Sequence, residues 1–220
     1  MRPSFGYIKG FFWMLGRHGF DLWADGYDKS VGLSDEADCY PFAGYRETLA
    51  EIYGLLRGTQ ARNVLDIGCG TGILGAKLCA AGVEVTGLDF SPEMLKIARE
   101  RMPEARLIQW DFSKGLPEKI EKQGFDAVVC TYALHHLSDE AKAALLREME
   151  KCVKPGGRIL IGDIAFETAK MRGECRKEAG ADWDEDEFYM AMDEMEGRMV
   201  GAVYSYRQIS KCAGILEIVV

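Results

Sequence analysis

The chain of 220 residues contains no run of about 20 apolar residues, the length a helix needs to cross a bilayer. A short aromatic stretch near the N-terminus, Phe11-Phe12-Trp13-Met14-Leu15, is closed off by Lys9 and Arg17. No small-residue cleavage pattern follows it, so the stretch is expected to be an amphipathic cap on the domain, with no membrane association. A basic stripe is missing as well. Lys and Arg number 27 against 35 Asp and Glu, a net charge of −8. A surface of that sign repels a polyphosphate backbone and excludes a dedicated nucleic-acid binder. The seven cysteines, Cys39, Cys69, Cys79, Cys130, Cys152, Cys175 and Cys212, include no C-x-x-C pair and no metal-ligand spacing. That excludes a cysteine-held metal and a disulfide framework, and implies reduced thiols in a cytoplasmic protein. Internal repeats and low-complexity linkers are lacking too, and the length suits one large domain carrying an elaborated segment.

What the chain does have is concentrated in residues 64–89. Val64–Gly75 reads VLDIGCGTGILG and Val83–Asp89 reads VEVTGLD. An apolar run ends at Asp66, and Gly68, Gly70 and Gly72 then stand at every second position, where a backbone without Cβ turns tightly and approaches a ligand. A helix opens directly afterwards, with its free N–H groups facing whatever lies on the glycines. A second strand ends in Asp89, an acid placed to accept from a ribose diol. The pattern is that of a nucleotide-type cofactor site. It is not the dinucleotide fingerprint G-x-G-x-x-G, because Ile73 stands where the third glycine would be. A pyrophosphate suits a loop without a nearby carboxylate, whereas an acid at the lip, Asp66, suits a zwitterion bearing an ammonium and a sulfonium.

The stretch Leu65-Asp66-Ile67-Gly68-Cys69-Gly70-Thr71-Gly72 resembles the first motif of the class I S-adenosylmethionine-dependent methyltransferases. Three further stretches, Phe20–Asp28 (FDLWADGYD), Phe42-Ala43-Gly44-Tyr45 and Thr131–Leu137 (TYALHHL), are similar to a group of uncharacterised bacterial small-molecule methyltransferases. The resemblance implies S-adenosyl-L-methionine as cofactor and a division of labour among residues. Gly68 and Gly70 let the methionine part lie against backbone. Asp66 orders the loop and reaches the ammonium through water. Asp89 accepts from both ribose hydroxyls. Phe90 and Met94 line the adenine, Asp111 takes its amino group, Phe112 offers a backbone N–H beside it, and Thr131 sits under the sulfonium.

Strand and helix patterns alternate from Asn63 to Asp163, which predicts a doubly wound, mainly parallel α/β sheet. Strands are expected at Asn63–Ile67, Glu84–Leu88, Arg106–Gln109, Phe125–Cys130 and Arg158–Asp163, and helices at Glu47–Arg57, Ile73–Ala81, Ser91–Met102 and Ser138–Val153, with Lys154-Pro155-Gly156-Gly157 as a turn. Right-handed crossovers put all the strand C-terminal ends on one edge, where Asp66, Asp89, Asp111 and Thr131 converge. The resemblance adds a Rossmann-like sheet of seven strands whose last strand is antiparallel. The expected organisation is a helical cap over residues 1–45, a cofactor-binding core over 46–166, a helical insertion or lid over 167–202, and a terminal strand pair over 203–220. The methionines of the insertion, Met190, Met192, Met195 and Met199, read either as ordinary core or as a binding surface.

The acceptor half is less specified. His135 and His136 can remove a proton from a hydroxyl or thiol acceptor, or can pack at the sheet edge and at the start of the helix that Ser138 opens. Trp23, Tyr27 and Trp183 are candidate acceptor-facing walls, and His18, Tyr27 and Tyr132 weaker candidates for the base. Cys130-Thr131-Tyr132-Ala133 stands where enzymes that methylate exocyclic base amines resemble one another in an Asn/Asp-Pro-Pro-Tyr/Phe motif. With the acidic net charge, that favours a small-molecule acceptor. Two other functions fit a cofactor pocket of this kind: a non-catalytic S-adenosylmethionine sensor, and an NAD-dependent oxidoreductase.

Overall fold

A computed structural model describes residues 31, 32, 34–36, 38–199 and 203–220. Trp23, Tyr27 and His18, and most of the expected cap, lie outside the described residues. The sheet runs in the order β3-β2-β1-β4-β5-β8-β7, with β6 paired to β5 off this path. The strands are β1 (Asn63–Ile67), β2 (Glu84–Asp89), β3 (Arg106–Gln109), β4 (Phe125–Thr131), β5 (Val153–Phe166), β6 (Met190–Ala191), β7 (Val203–Gln208) and β8 (Ala213–Val219). Strands β1 to β5 pair in parallel, and β8 is antiparallel to both β5 and β7. The helices are α1 (Tyr45–Gly58), α2 (Ile73–Ala80), α3 (Pro92–Arg101), α4 (Glu118–Glu121), α5 (Asp139–Cys152), α6 (Ala169–Ala179) and α7 (Met192–Met195).

Alternation along the central strands explains why both faces are covered. Leu65, Val128 and Ile159 point into one apolar cluster with Leu145, Leu146 and Met149 of α5. Their neighbours Val64, Val129 and Leu160 point into the other, with Ile52 of α1, Leu78 of α2 and Leu95 of α3. A strand apolar on both faces reads as a continuous hydrophobic run, as β4 does. The helix starts follow their local chemistry. Ser91 caps α3 by accepting from the Met94 N–H at 3.2 Å, with Pro92 in the first turn, and Ser138 caps α5 by accepting from the Ala141 N–H at 3.3 Å.

Two expectations are corrected. The turn at residues 154–157 is instead a bulge inside a longer β5. Phe125 faces Val153 and Ala127 faces Arg158, so the extra residues are extruded from the ladder. The insertion is helical but also carries β6, whose Met190 and Ala191 pair with Ala165 and Phe166 of β5. Met190, Met192, Met195 and Met199 are buried in the main core, which makes them packing residues. Among the described residues, no helix is long and apolar enough to cross a membrane.

Candidate active site

The C-terminal ends of β1, β2 and β4 open onto a cleft. Asp66, Gly68, Gly70, Asp89, Phe90, Met94, Phe112, Thr131 and His136 line it, together with residues that sequence reasoning did not assign to the site, among them Tyr45, Thr71 and Ala133. The loop after β1 is held by β2. Leu88 accepts from the Gly68 N–H at 2.8 Å and from the Cys69 N–H at 3.0 Å. Gly68 has φ +70°, and a Cβ there would stand 2.5 Å from the Ala133 Cβ, so only glycine fits. Gly70, which lines the cleft, has φ +52°, and a Cβ there would meet nothing within 4 Å.

Asp89 and Asp66 divide the work differently from the expectation. Asp89 orders the loop: its Oδ2 accepts from the Gly70 N–H at 2.8 Å and its Oδ1 from the Ser91 N–H at 2.9 Å. Asp66 is 1% exposed, and its Oδ1 has no hydrogen-bond partner among the described residues. Burial, and then the charge of Asp89, push the Asp66 carboxyl up to about 7. An orphaned buried oxygen of this kind is costly unless a donor arrives.

The adenine-side residues separate into two groups. Phe90, Met94 and Phe112 wall the cleft, whereas Asp111 is not among its lining residues. The Asp111 Oδ1 accepts from the Ser113 N–H at 3.1 Å and from the Ser113 hydroxyl at 2.6 Å, and Lys114 pairs with its Oδ2 at 3.0 Å. The Ser113 bonds, against a smaller desolvation cost, hold its carboxyl below the usual range. Asp111 therefore closes its own turn, the Asx capping that is common after a strand.

At the other end, Thr131 is followed by Tyr132 at φ +50°, a left-handed conformation that a bulky residue adopts only under external support. That support is visible. The Tyr132 N–H donates to Gly162 at 2.8 Å, and its hydroxyl donates to the Thr48 Oγ1 at 3.3 Å. The histidines follow at once. His135 is buried and does not line the cleft; its Nδ1 lies 2.6 Å from the Asp163 Oδ1, and its N–H donates to the Asp163 Oδ2 at 3.1 Å. His136 lines the cleft, and its Nδ1 lies 2.8 and 2.9 Å from the two oxygens of Glu187. For His135, burial acts against the charged form, but the charge and hydrogen bond of Asp163 outweigh it and raise the pKa; burial and the His135 charge lower that of His136.

Glu187 and Asp163 were missed at the level of sequence. Asp163 carried a readable signal, an acid at the end of an apolar strand like Asp66 and Asp89. Glu187 carried none, because it sits in a run of acids, Asp182 to Glu187, that reads as a solvated face. It is brought in by Phe188, whose N–H donates to the His135 carbonyl at 2.8 Å and whose own carbonyl accepts from the buried Lys142 Nζ. Trp183 stacks on Tyr40 at 5.0 Å and lines a neighbouring hollow with Arg172 and Glu187, outside the cofactor cleft.

Comparison with known proteins places this geometry. A methyltransferase-domain family profile matches residues 64–157. An uncharacterised methyltransferase of Bacillus cytotoxicus is 39% identical over 166 residues, spanning 70% of this chain and 74% of the relative. One from Alkaliphilus oremlandii is 32% identical over 155 residues, 70% of each. Among solved structures, the magnesium protoporphyrin IX methyltransferase of Synechocystis with bound SAH superposes with a TM-score of 0.66 at 20% identity, over 81% of this chain and 84% of that one. The DhpI-SAM-HEP complex gives 0.66 at 21% identity, over 90% and 93%. With the glycine loop, the strand-end acids and the sheet order already in view, these likenesses make the chain a member of the S-adenosylmethionine-dependent methyltransferase family.

Proposed function

We propose that the protein transfers a methyl group from S-adenosylmethionine to a small-molecule acceptor at the His136 end of the cleft, with His136 taking the acceptor proton. The observation that carries this reading is one cleft that holds both an orphaned carboxylate oxygen, on Asp66, and a histidine oriented by a carboxylate, His136 on Glu187.

The residues fit the cofactor. An ammonium is the donor that the Asp66 Oδ1 lacks, and Gly70 presents main chain without a side chain at the lining of the cleft. Asp89 stands at the end of β2 and lines the cleft, and a carboxylate, which can accept up to about four hydrogen bonds, suits the paired hydroxyls of a ribose there. Phe90, Met94 and Phe112 supply the apolar walls for the adenine. Asp111 is left out of the assignment because its carboxylate caps its own turn. Bound in the cleft, the cofactor supplies an electrophilic methyl carbon on a sulfonium.

Transfer is an in-line displacement, so the protein contributes chiefly alignment and exclusion of water. His136 adds proton acceptance where the nucleophile starts protonated. Glu187 fixes its ring, and Asp163 fixes its neighbour His135, so the two histidines act as one braced unit. The small-molecule class of acceptor is supported by the net charge of −8 and by Cys130-Thr131-Tyr132-Ala133. Neither the sensor nor the nicotinamide reading gains an observation in its favour.

Calorimetric titration with S-adenosylhomocysteine tests the cofactor half. Wild-type protein should bind it, and Asp89→Ala should lose about 1.5–3 kcal/mol through its charged hydrogen bonds. Unchanged affinity in the variant would remove the ribose assignment. A screen of metabolite pools with methyl-labelled cofactor tests the acceptor half, and label transfer confined to nucleic acid or protein would overturn the acceptor class.

A further inference from the structure

Two histidines and two carboxylates meet behind the cleft, and the methyl-transfer reading uses only one lone pair among them. One ring nitrogen of His135, one of His136 and one oxygen of Glu187 all lie within 4.8 Å of one another. From these atoms we infer that His135, His136 and Glu187 form a binding site for a borderline divalent transition cation of the zinc class, at the wall of the cofactor cleft.

The donor set is two imidazoles and one carboxylate, which suits Zn²⁺ or Co²⁺ and discriminates against Mg²⁺ and Ca²⁺, whose shells are built from oxygen. The outer partner is in place. Asp163 holds the Nδ1 of His135 at 2.6 Å and also accepts from the His135 N–H, which fixes the ring and leaves Nε2 as its ligand atom. Asp163 is itself tied down by the Ile164 N–H at 2.7 Å. The third donor is positioned without touching it, because the Phe188 backbone is clamped between the His135 carbonyl and Lys142. Access is available through His136, whose side chain is 27% exposed and lines the cleft. The hydrogen bond between His136 and Glu187 is what the same two donors make without a cation. Because ligation engages His136, metal loading competes with proton acceptance by that ring. This consequence rests on the proposed base role; the binding itself does not.

The test is titration of the full-length protein with CoCl₂, read by visible d–d absorption, with ZnCl₂ competition and MgCl₂ as control. One equivalent of Co²⁺ should bind, Zn²⁺ should displace it, and Mg²⁺ should not. Glu187→Gln, a near-isosteric change checked for folding by circular dichroism, should weaken Co²⁺ binding at least tenfold. Asp163→Asn should weaken it by about 10–100-fold through the lost orientation of His135. Absence of d–d bands, bands unaltered in Glu187→Gln, or thiolate charge-transfer bands pointing to cysteine ligation would each overturn the site. Turnover measured alongside separates the two ideas. A fall in proportion to occupancy supports both, whereas intact binding with undiminished turnover keeps the metal site and removes His136 as the base.

Discussion

The two halves of the cleft are built by different means. The cofactor half is main chain laid over the ends of adjacent parallel strands, with Leu88 and Asp89 of β2 holding the loop that leaves β1. Its residues are near neighbours in sequence, and its geometry is dictated by glycine torsions and strand register. The half proposed for the acceptor is a set of side chains from three distant segments: His135 and His136 after β4, Asp163 in β5 and Glu187 in the insertion. There the order comes from charge pairing in a buried setting. One half is a property of the sheet, and the other is a property of what is hung on it, so substitutions in the two should fail differently.

The largest difference is expected at His136→Gln. Glutamine keeps a polar side chain against Glu187 but cannot accept and release a proton near neutral pH. Turnover should fall by about 10²–10⁴-fold, the range a positioned general base contributes. Affinity for S-adenosylhomocysteine should stay within about twofold, because the cofactor contacts assigned above lie elsewhere. Single-turnover kinetics beside a binding isotherm decide it, and an equal loss in both would erase the division between the halves.

Asp66 gives the cofactor half its own signature, in pH. Its carboxyl is pushed up to about 7 in the fold, by burial first and by Asp89 second, against about 3.9 in an unfolded chain. The fold thus favours the neutral acid. The stability this group contributes is fully present below about pH 4 and is lost as pH climbs through about 7. Roughly three pH units at 1.36 kcal/mol each set a ceiling of about 4 kcal/mol on the loss. Ligand binding should run the opposite way, since an ammonium prefers the ionised oxygen: affinity for S-adenosylhomocysteine should rise across the same window. Thermal melts from pH 4 to pH 8, with and without ligand, should converge at low pH and separate at high pH, and Asp66→Asn should flatten both trends. Parallel curves would show that Asp66 does not meet the ligand.

The same contrast governs what could be read from the sequence. The glycine loop, the acid that ends β2 and the positions of the first five strands were legible because they depend on local torsion and on period-two and period-3.6 patterns, which a linear sequence displays. Even there, the loop-ordering role expected of Asp66 belongs to Asp89, since spacing alone does not tell which of two nearby acids faces a backbone N–H. Asp111 shows the same limit, because a strand-end acid can serve a ligand or cap its own turn with identical spacing. The Pro155-Gly156-Gly157 signal was real as a departure from regular structure, but it emerged as a bulge in β5 because the ladder to β4 resumes at Arg158. Glu187 was illegible. It meets His136 across 51 residues of chain, and nothing in an acidic run marks which member will be drawn inward when a buried lysine in the first turn of α5 holds the carbonyl of the next residue, Phe188.

The smallest expected effect, and the sharpest within the cofactor half, separates two glycines that look alike in sequence. Both have positive φ, so alanine at either costs about 1–2 kcal/mol in backbone strain. At Gly68 the new methyl would also stand 2.5 Å from the Ala133 Cβ, on a loop with no room to yield, which adds about 1–3 kcal/mol of overpacking. Gly68→Ala should therefore lose about 3 kcal/mol of stability, lowering Tm visibly with or without ligand. At Gly70, which lines the cleft, the methyl would enter open space, so Gly70→Ala should lose only about 1 kcal/mol of stability while weakening S-adenosylhomocysteine binding at least tenfold. Denaturant unfolding paired with calorimetry measures both quantities on both variants. If Gly70→Ala binds the ligand as wild type does, the bare main chain at that position is a requirement of the turn alone, and the cofactor lies elsewhere along the rim.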